Sequence, residues 1–313
     1  MNTPDTANAT IESSARRRLL IAVNPQKRDA PELAASLARL VAGDVEIDLV
    51  DLDVLSKDRD QAFRAARESS AIVVSGGDGS LYHAAPFLRE AGRPVGILPT
   101  GTANDFARTM GIPFEPVAAA EVILAGHTRL ADLGEANGHL FFNVASLGMS
   151  VALTARLTRE RKRRWGRSAY VLTAVEAAAT IEPFSARIVT SHETVDVRTL
   201  QIAVGNGRYY GGGSTVDENA TIDDGVLHLY SLEMSSPWAM LPMLWAFRNG
   251  THGRWASVRT AVGTEMRVET RRPRDINADG EIITTTPCTF RVIPKALAVL
   301  APPKASNLTA AAV

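Results

Sequence analysis

The sequence predicts an α/β domain with a mostly parallel sheet, followed by a β-rich second domain. Three observations carry this reading. From Leu19 to Leu98, short runs rich in β-branched residues alternate with stretches of helical apolar spacing, the pattern of a parallel sheet with helices on its faces. Two of these runs end in glycine-containing loops, Gly76-Gly77-Asp78-Gly79-Ser80 and Gly101-Thr102-Ala103-Asn104. Loops that follow parallel strands gather at one edge of the sheet, where ligands usually sit. After about residue 130 the helical spacing gives way to short strand candidates with glycine-rich connectors.

The elements follow in order. Residues 1–15 are small and polar and predict a disordered arm. A first strand over 19–23 stops at Asn24-Pro25, and Pro31 suits the first turn of a helix carrying Leu33, Leu37 and Leu40 on one side. Val45, Ile47 and Leu49 alternate as a second strand; a helix over 58–68 turns Ala62, Phe63 and Ala66 inward. The third and fourth strands are expected over 71–75 and 95–98. Leu81, Ala84, Ala85 and Leu88 continue the first glycine loop as a helix, which Pro86 is expected to shorten or kink. Asp105 is expected to cap a helix running toward Met110. In a helix over 116–125, Val117, Ala120, Ile123 and Leu124 should face inward, with Gly126 as its stop. Strands are then expected over 140–145, 185–190, 200–204 and 226–230, with further ones around Ser257, Met266 and Phe290. Two stretches interrupt them: a helical 150–179, split by the basic cluster 159–167, and 236–255, with Trp238, Met243, Trp245 and Trp255.

A chain of 313 residues can bury a large core and suggests two domains. Lysine plus arginine equals aspartate plus glutamate at 34 each, so overall charge gives no argument for nucleic acid as partner. The sole cysteine, Cys288, cannot form an internal disulfide and reads as a buried thiol. No apolar core of signal-peptide length precedes Arg16-Arg17-Arg18, and no apolar run reaches the roughly 20 residues of a membrane span. The expectation is a soluble cytoplasmic protein that can still touch a membrane surface. Arg161, Arg163 and Arg164 could attract anionic lipid, although charge alone favours a solvated helix end. Aromatic residues do not interleave with these arginines as a stacking platform for nucleic acid requires.

Glycines at the strand-to-helix junction remove the side chains that keep a bulky ligand from the backbone, and the helix beyond begins with free N–H groups. This is the layout of a phosphate cradle; a tight turn without ligand has the same sequence. Thr102 and Asn104 add hydrogen-bonding side chains, which also serve ordinary loops. Two acidic stretches lie outside the loops. Asp217-Glu218-Asn219-Ala220-Thr221-Ile222-Asp223-Asp224-Gly225 has oxygen spacing suited to a hard divalent cation, or to a simple acidic turn. In Asn277-Ala278-Asp279-Gly280-Glu281, the glycine lets two carboxylates converge on a cleft, and an exposed Asp-Gly hairpin is the alternative. The P-loop lysine signature and the protein-kinase H-R-D and D-F-G motifs are absent.

Taken in order, Gly76 to Ser80, Gly101 to Arg108, Asn206-Gly207 with Gly211-Gly212-Gly213, Asp223-Asp224-Gly225 and Asp279-Gly280-Glu281 resemble the diacylglycerol-kinase catalytic-domain superfamily. The likeness is to its bacterial soluble lipid kinases and spans Leu19 to Pro294. It implies a two-domain lipid-kinase fold: an arm over 1–15, a nucleotide domain over 16–132, a β-sandwich-like lipid domain over 133–290, and a segment over 291–313 returning toward the first. It implies ATP and Mg2+ as cofactors, a lipid substrate, a peripheral membrane surface, no nucleic acid, and room for a homodimer. Asn24, Gly76, Gly77, Asp78, Gly79, Ser80, Thr102 and Asn104 are the implied nucleotide contacts. Glu281 is the implied general base, with Asp279 in support, and Asp224 the implied metal ligand, with Thr221 and Val226 through their backbones. Ser80 stands where threonine is usual, and Gln26-Lys27-Arg28 follow Asn24-Pro25 where x-Ser-Gly is usual. A NAD-kinase-related kinase of a soluble substrate and a non-catalytic nucleotide-binding regulator are the competing readings.

Overall fold

The computed structural model describes residues 17–151, 182–207, 209–210, 214–215, 220–234, 251 and 255–304. The arm over 1–15, the basic cluster, Gly211 to Gly213, Asp217 to Asn219 and most of 236–255 lie outside the described residues.

Strands β1 (Arg17–Val23), β2 (Val45–Asp51), β3 (Ala71–Gly76) and β4 (Val95–Pro99) run parallel in the order β2-β1-β3-β4. They alternate with α1 (Pro31–Ala42), α2 (Val54–Lys57), α3 (Arg59–Glu68) and α4 (Asp78–Ala91). β3 and β4 are buried along their whole length, which is why they read as unbroken apolar runs; β2 is the sheet edge, and its Leu49 is exposed. The short helix α2 had no periodic signal. α4 is neither short nor stopped at Pro86: it continues for 14 residues. Pro86 lies on the exposed face of this helix. Helices α5 (Asp105–Met110) and α6 (Pro116–Ala125) follow. α6 buries Ala119, Ala120 and Ile123 and ends at Gly126 with φ +72°, but Val117, at the margin of that stripe, is exposed.

Beyond β5 (Thr128–Ala136) the chain is β-structured: β6 (His139–Phe141), β7 (Val144–Gly148), β8 (Phe184–Val189), β9 (Thr194–Thr199), β10 (Gln201–Gly205), β11 (Tyr209–Tyr210), β12 (Ser214–Thr215), β13 (Leu227–Leu232), β14 (Val258–Gly263), β15 (Glu265–Thr270), β16 (Asp275–Ala278), β17 (Glu281–Thr285) and β18 (Cys288–Leu300). β14-β13-β10-β7-β16-β17 form an antiparallel sheet, while the first sheet continues through β4-β18-β15-β8-β9. Leu147, Ile202, Leu229 and Ile276 of one sheet share a core with Ile188, Val268 and Phe290 of the other, which makes this part a sandwich. The strand expected over 140–145 is broken at Phe142 and Asn143. Cys288 is buried, which pushes its thiol up to about 12 and leaves it inert.

The last strand belongs to both halves. Cys288 to Arg291 pair with β15 in the sandwich, and Val299 pairs in parallel with Val95 of β4. β5 lies antiparallel to both ends of β18. One strand thereby joins the parallel sheet to the sandwich.

Candidate active site

Two loops meet at the carboxyl ends of β3 and β4. Gly77 is the N-cap of α4, and a Cβ there would press on the Gly101 Cα at 2.9 Å; a Cβ on Gly101 would collide with the Gly77 backbone. The two loops thus touch main chain to main chain, which only glycine permits. A Cβ on Gly76 would overlap the hydroxyl of Ser80, itself buried. Gly79 is different: nothing lies within 4 Å of where its Cβ would be. Asn24, beyond β1, donates its N–H to the Ser75 carbonyl at 3.4 Å and turns its side chain back on Gln26. Thr102 is exposed at the mouth of the second loop, while the Asn104 amide closes that loop on itself through Gly101 N–H and C=O, each at 3.0 Å.

Asp105 does not cap α5. It is the first helical residue, after Asn104 at φ +53°, and the carboxylate that receives the free N–H groups belongs to Asp78. Asp78 Oδ2 accepts from Asp105 N at 3.1 Å and Oδ1 from Phe106 N at 3.0 Å. An acid from the first loop therefore pins the helix that follows the second, a link between residues 27 apart that local capping patterns could not reveal.

The second acidic stretch forms a hairpin. Asp279 and Gly280 have φ +48° and +98° and join β16 to β17, with Ala278 opposite Glu281, the geometry an Asp-Gly pair favours. The Asp279 carboxylate turns inward and receives N–H groups of Phe142 at 2.6 Å, Asn143 at 3.0 Å and Val144 at 3.2 Å. Those donors are free because the chain leaves β6 at Phe141 and enters β7 at Val144, so the break in the expected strand is where the turn docks. Glu281 stays exposed as the first residue of β17. Asn143 Nδ2 reaches Asp78 Oδ1 at 3.3 Å, bringing the loop and the hairpin together. Tyr82, one turn into α4, faces the same place. Burial, followed by the charges of Glu281 and Asp279, pushes its phenol above its ordinary value.

Burial also pushes the Asp279 carboxyl up to about 7; its three N–H donors oppose this, and the nearby Asp78 charge adds to it. A raised value means that the folded protein holds this proton more tightly than the unfolded chain. The stabilisation is complete below the ordinary carboxylate value and is lost as pH rises through about 7. Unfolding free energy from urea titration is expected to drop by a few kcal/mol (~2–4) from this group between about pH 4 and about pH 7. The slope should be shallower in Asp279→Asn; equal slopes in the two proteins would remove Asp279 as its source.

The Asp224 turn lies elsewhere. Asp224 Oδ2 accepts from Thr221 N at 3.0 Å and meets His228 Nε2 at 3.0 Å, and Oδ1 accepts from Val226 N at 3.1 Å. Burial pushes this carboxyl up, but the His228 bond and the two N–H groups hold it below the usual carboxylate range. Asp132, buried in β5, ties the turn to the last strand through Gly225 N at 2.7 Å and Lys295 N at 2.6 Å.

A profile of the diacylglycerol kinase catalytic domain matches residues 18–136, and one of the YegS C-terminal NAD kinase beta sandwich-like domain matches residues 143–301. The "Probable lipid kinase YegS-like" protein of Pseudomonas aeruginosa is 36% identical over 235 residues, covering 74% of this chain and 77% of that one. The chain belongs to the YegS-like lipid kinase family. The "Diacylglycerol kinase" of Mycobacterium tuberculosis is 32% identical over 250 residues, 77% of this chain and 80% of its own. A crystal structure from Bacillus anthracis str. Sterne superposes with a TM-score of 0.77 at 25% identity, covering 94% of this chain and 99% of that one. The amino-terminal half thus matches the diacylglycerol kinase catalytic domain.

The YegS-like kinase fold implies ATP and Mg2+, and the residues at the first loop fit a nucleotide. Gly79 sits in the first turn of a helix with open space where a side chain would be, which the fold itself does not need. Magnesium carried by nucleotide phosphates needs only one or two protein oxygens, and the carboxylates near Asn143 could supply them. The Asp224 turn is the other implied metal position. Its carboxylate is already engaged by two N–H groups and His228, and among the described residues no three His, Cys, Asp or Glu side chains gather as a metal-binding group. Sequence reasoning missed Tyr82, Asp132, Asn143 and His228. A polar residue inside the apolar run Leu140-Phe141-Phe142-Asn143-Val144 was the available signal for Asn143; the others gave none.

Proposed function

We propose that the protein transfers the γ-phosphoryl group of ATP to a hydroxyl of a membrane-derived lipid, with Glu281 as general base. The observation that supports this most is the meeting of the two glycine loops with the Asp279-Gly280-Glu281 hairpin through Asp78 and Asn143. The loop from Gly76 to Ser80, with Thr102 opposite, receives the phosphates on backbone N–H groups; Asn24 and Asn104 shape the loops around them. Mg2+ bound with the nucleotide would offset phosphate charge. Glu281 takes the proton of the lipid hydroxyl, the hydroxyl oxygen bonds to the γ-phosphorus, and the bond from that phosphorus to the bridging oxygen breaks, releasing ADP. Asp279 acts through position: its bonds to 142–144 set where Glu281 stands.

On this reading residues 16–132 serve the nucleotide, 133–290 the lipid, and 291–313 return to the first part. Among the described residues no helix is long and apolar enough to cross a membrane, so we assign lipid access to peripheral contact at the inner face of the membrane. The purified protein, ATP and Mg2+ are incubated with a total lipid extract, and new phospholipids are identified by mass. One dominant metal-dependent product is expected and names the substrate. No phosphate transfer to any lipid, with ATP binding also absent, would overturn the proposal.

A further inference from the structure

We infer that Asn143 is a positioning residue for phosphoryl transfer, fixing the loop that carries Asp78 against the hairpin that carries Asp279 and Glu281. This rests on the kinase reading above. Asn143 lies between β6 and β7 and is 3% exposed. Its N–H donates to Asp279 Oδ1 at 3.0 Å, and its carbonyl accepts from Asn206 N at 2.8 Å and Gly207 N at 3.3 Å. The Asn206 side chain bonds the Asp132 and Phe142 carbonyls, both at 2.9 Å, so the main chain here has no slack. The side chain of Asn143 then reaches Asp78 Oδ1 at 3.3 Å. Asp78 is otherwise bonded by Asp105 and Phe106, and Asp279 by Phe142 and Val144. Among the described residues, Asn143 is the one that bonds both acids.

The other half of the amide makes the argument sharper. An ionised Asp78 only accepts, so Nδ2 must face it, and this fixes Oδ1 on the opposite side. That oxygen is buried and has no protein partner. Buried polar atoms in this condition are few in native proteins and carry a penalty. An apolar side chain would fill the same space in this apolar run without it. What asparagine adds is a neutral donor between the acid of the first glycine loop and the acid of the hairpin, and an acceptor left for a donor group that arrives with the substrates.

The test uses the full chain with ATP and the lipid that the wild type phosphorylates. Asn143→Ala is expected to lower kcat by ~10-fold or more while the KM for ATP and the melting temperature change little. Asn143→Asp, of the same shape, sets a third carboxylate beside the other two and should lower kcat further. Exchanging the partners, as Asn143→Asp with Asp78→Asn, again points an amide at a carboxylate and should recover part of the kcat lost in Asn143→Asp. A residue needed only for folding would lower the melting temperature and leave kcat per folded molecule unchanged. The inference is overturned by that result, by near-wild-type kcat in Asn143→Ala, or by an exchanged pair no better than Asn143→Asp alone. Should Asn143→Ala not fold, the comparison between Asn143→Asp and the exchanged pair decides. An inactive wild type would bring down the kinase reading and this inference together; an active one with unaffected variants brings down this inference alone.

Discussion

Glu281→Gln is expected to lower kcat by ~10²–10⁴-fold, the range that a positioned general base contributes. Glutamine keeps the length and hydrogen-bonding shape of the side chain but cannot take a proton at neutral pH. Glu281 is exposed at the start of β17, so replacing its side-chain carboxylate by an amide should not move the melting temperature. Nucleotide binds at the glycine loops, and its affinity should also remain. A variant that loses turnover while keeping ATP affinity and stability assigns the proton transfer to this residue. Turnover within about tenfold of the wild type would place the base elsewhere.

The second large effect separates two glycines. Gly101→Ala forces a methyl group into the Gly77 backbone. Main chain cannot yield as a flexible side chain can, so the loops must part. A displacement near 1 Å at reacting groups is worth ~10²-fold in rate, and the strain should cost about 1–3 kcal/mol of stability. Gly79→Ala meets nothing, and in the first turn of α4 it should leave stability unchanged or raise it by up to ~1 kcal/mol. Its methyl group nevertheless enters the open space offered to phosphate, so ATP affinity should drop. Measured by calorimetry and thermal melting, Gly101→Ala loses both quantities and Gly79→Ala only affinity. Full ATP affinity in Gly79→Ala would mean that phosphate does not lie there.

The parallel half was legible because β3 and β4 are buried along their whole length, β2 alternates and the helices carry apolar stripes, so short-range pattern carried the information. The two glycine loops were equally plain, since their composition answers a local demand. What escaped notice was made by distant partners. Nothing near Asp105 in the chain says that its helix is capped from Asp78. The run 140–145 reads as one strand because its break is stabilised by Asp279, some 135 residues away. Short helix α2 has too few residues for a period to register. Val117 was misjudged for the opposite reason: its pattern was clear, and its neighbours did not cover it.

The strand shared between both halves bears on how the molecule comes into being. Until Cys288 to Leu300 leave the ribosome, β4 has an open edge and β15 lacks a neighbour. Neither half can finish its sheet during synthesis, however early its own residues emerge. Completion waits until that segment has emerged, and the one segment then closes both halves. A chain released short of that segment would carry the glycine loops and the carboxylate hairpin yet present two unpaired strand edges, the kind of surface on which chains aggregate.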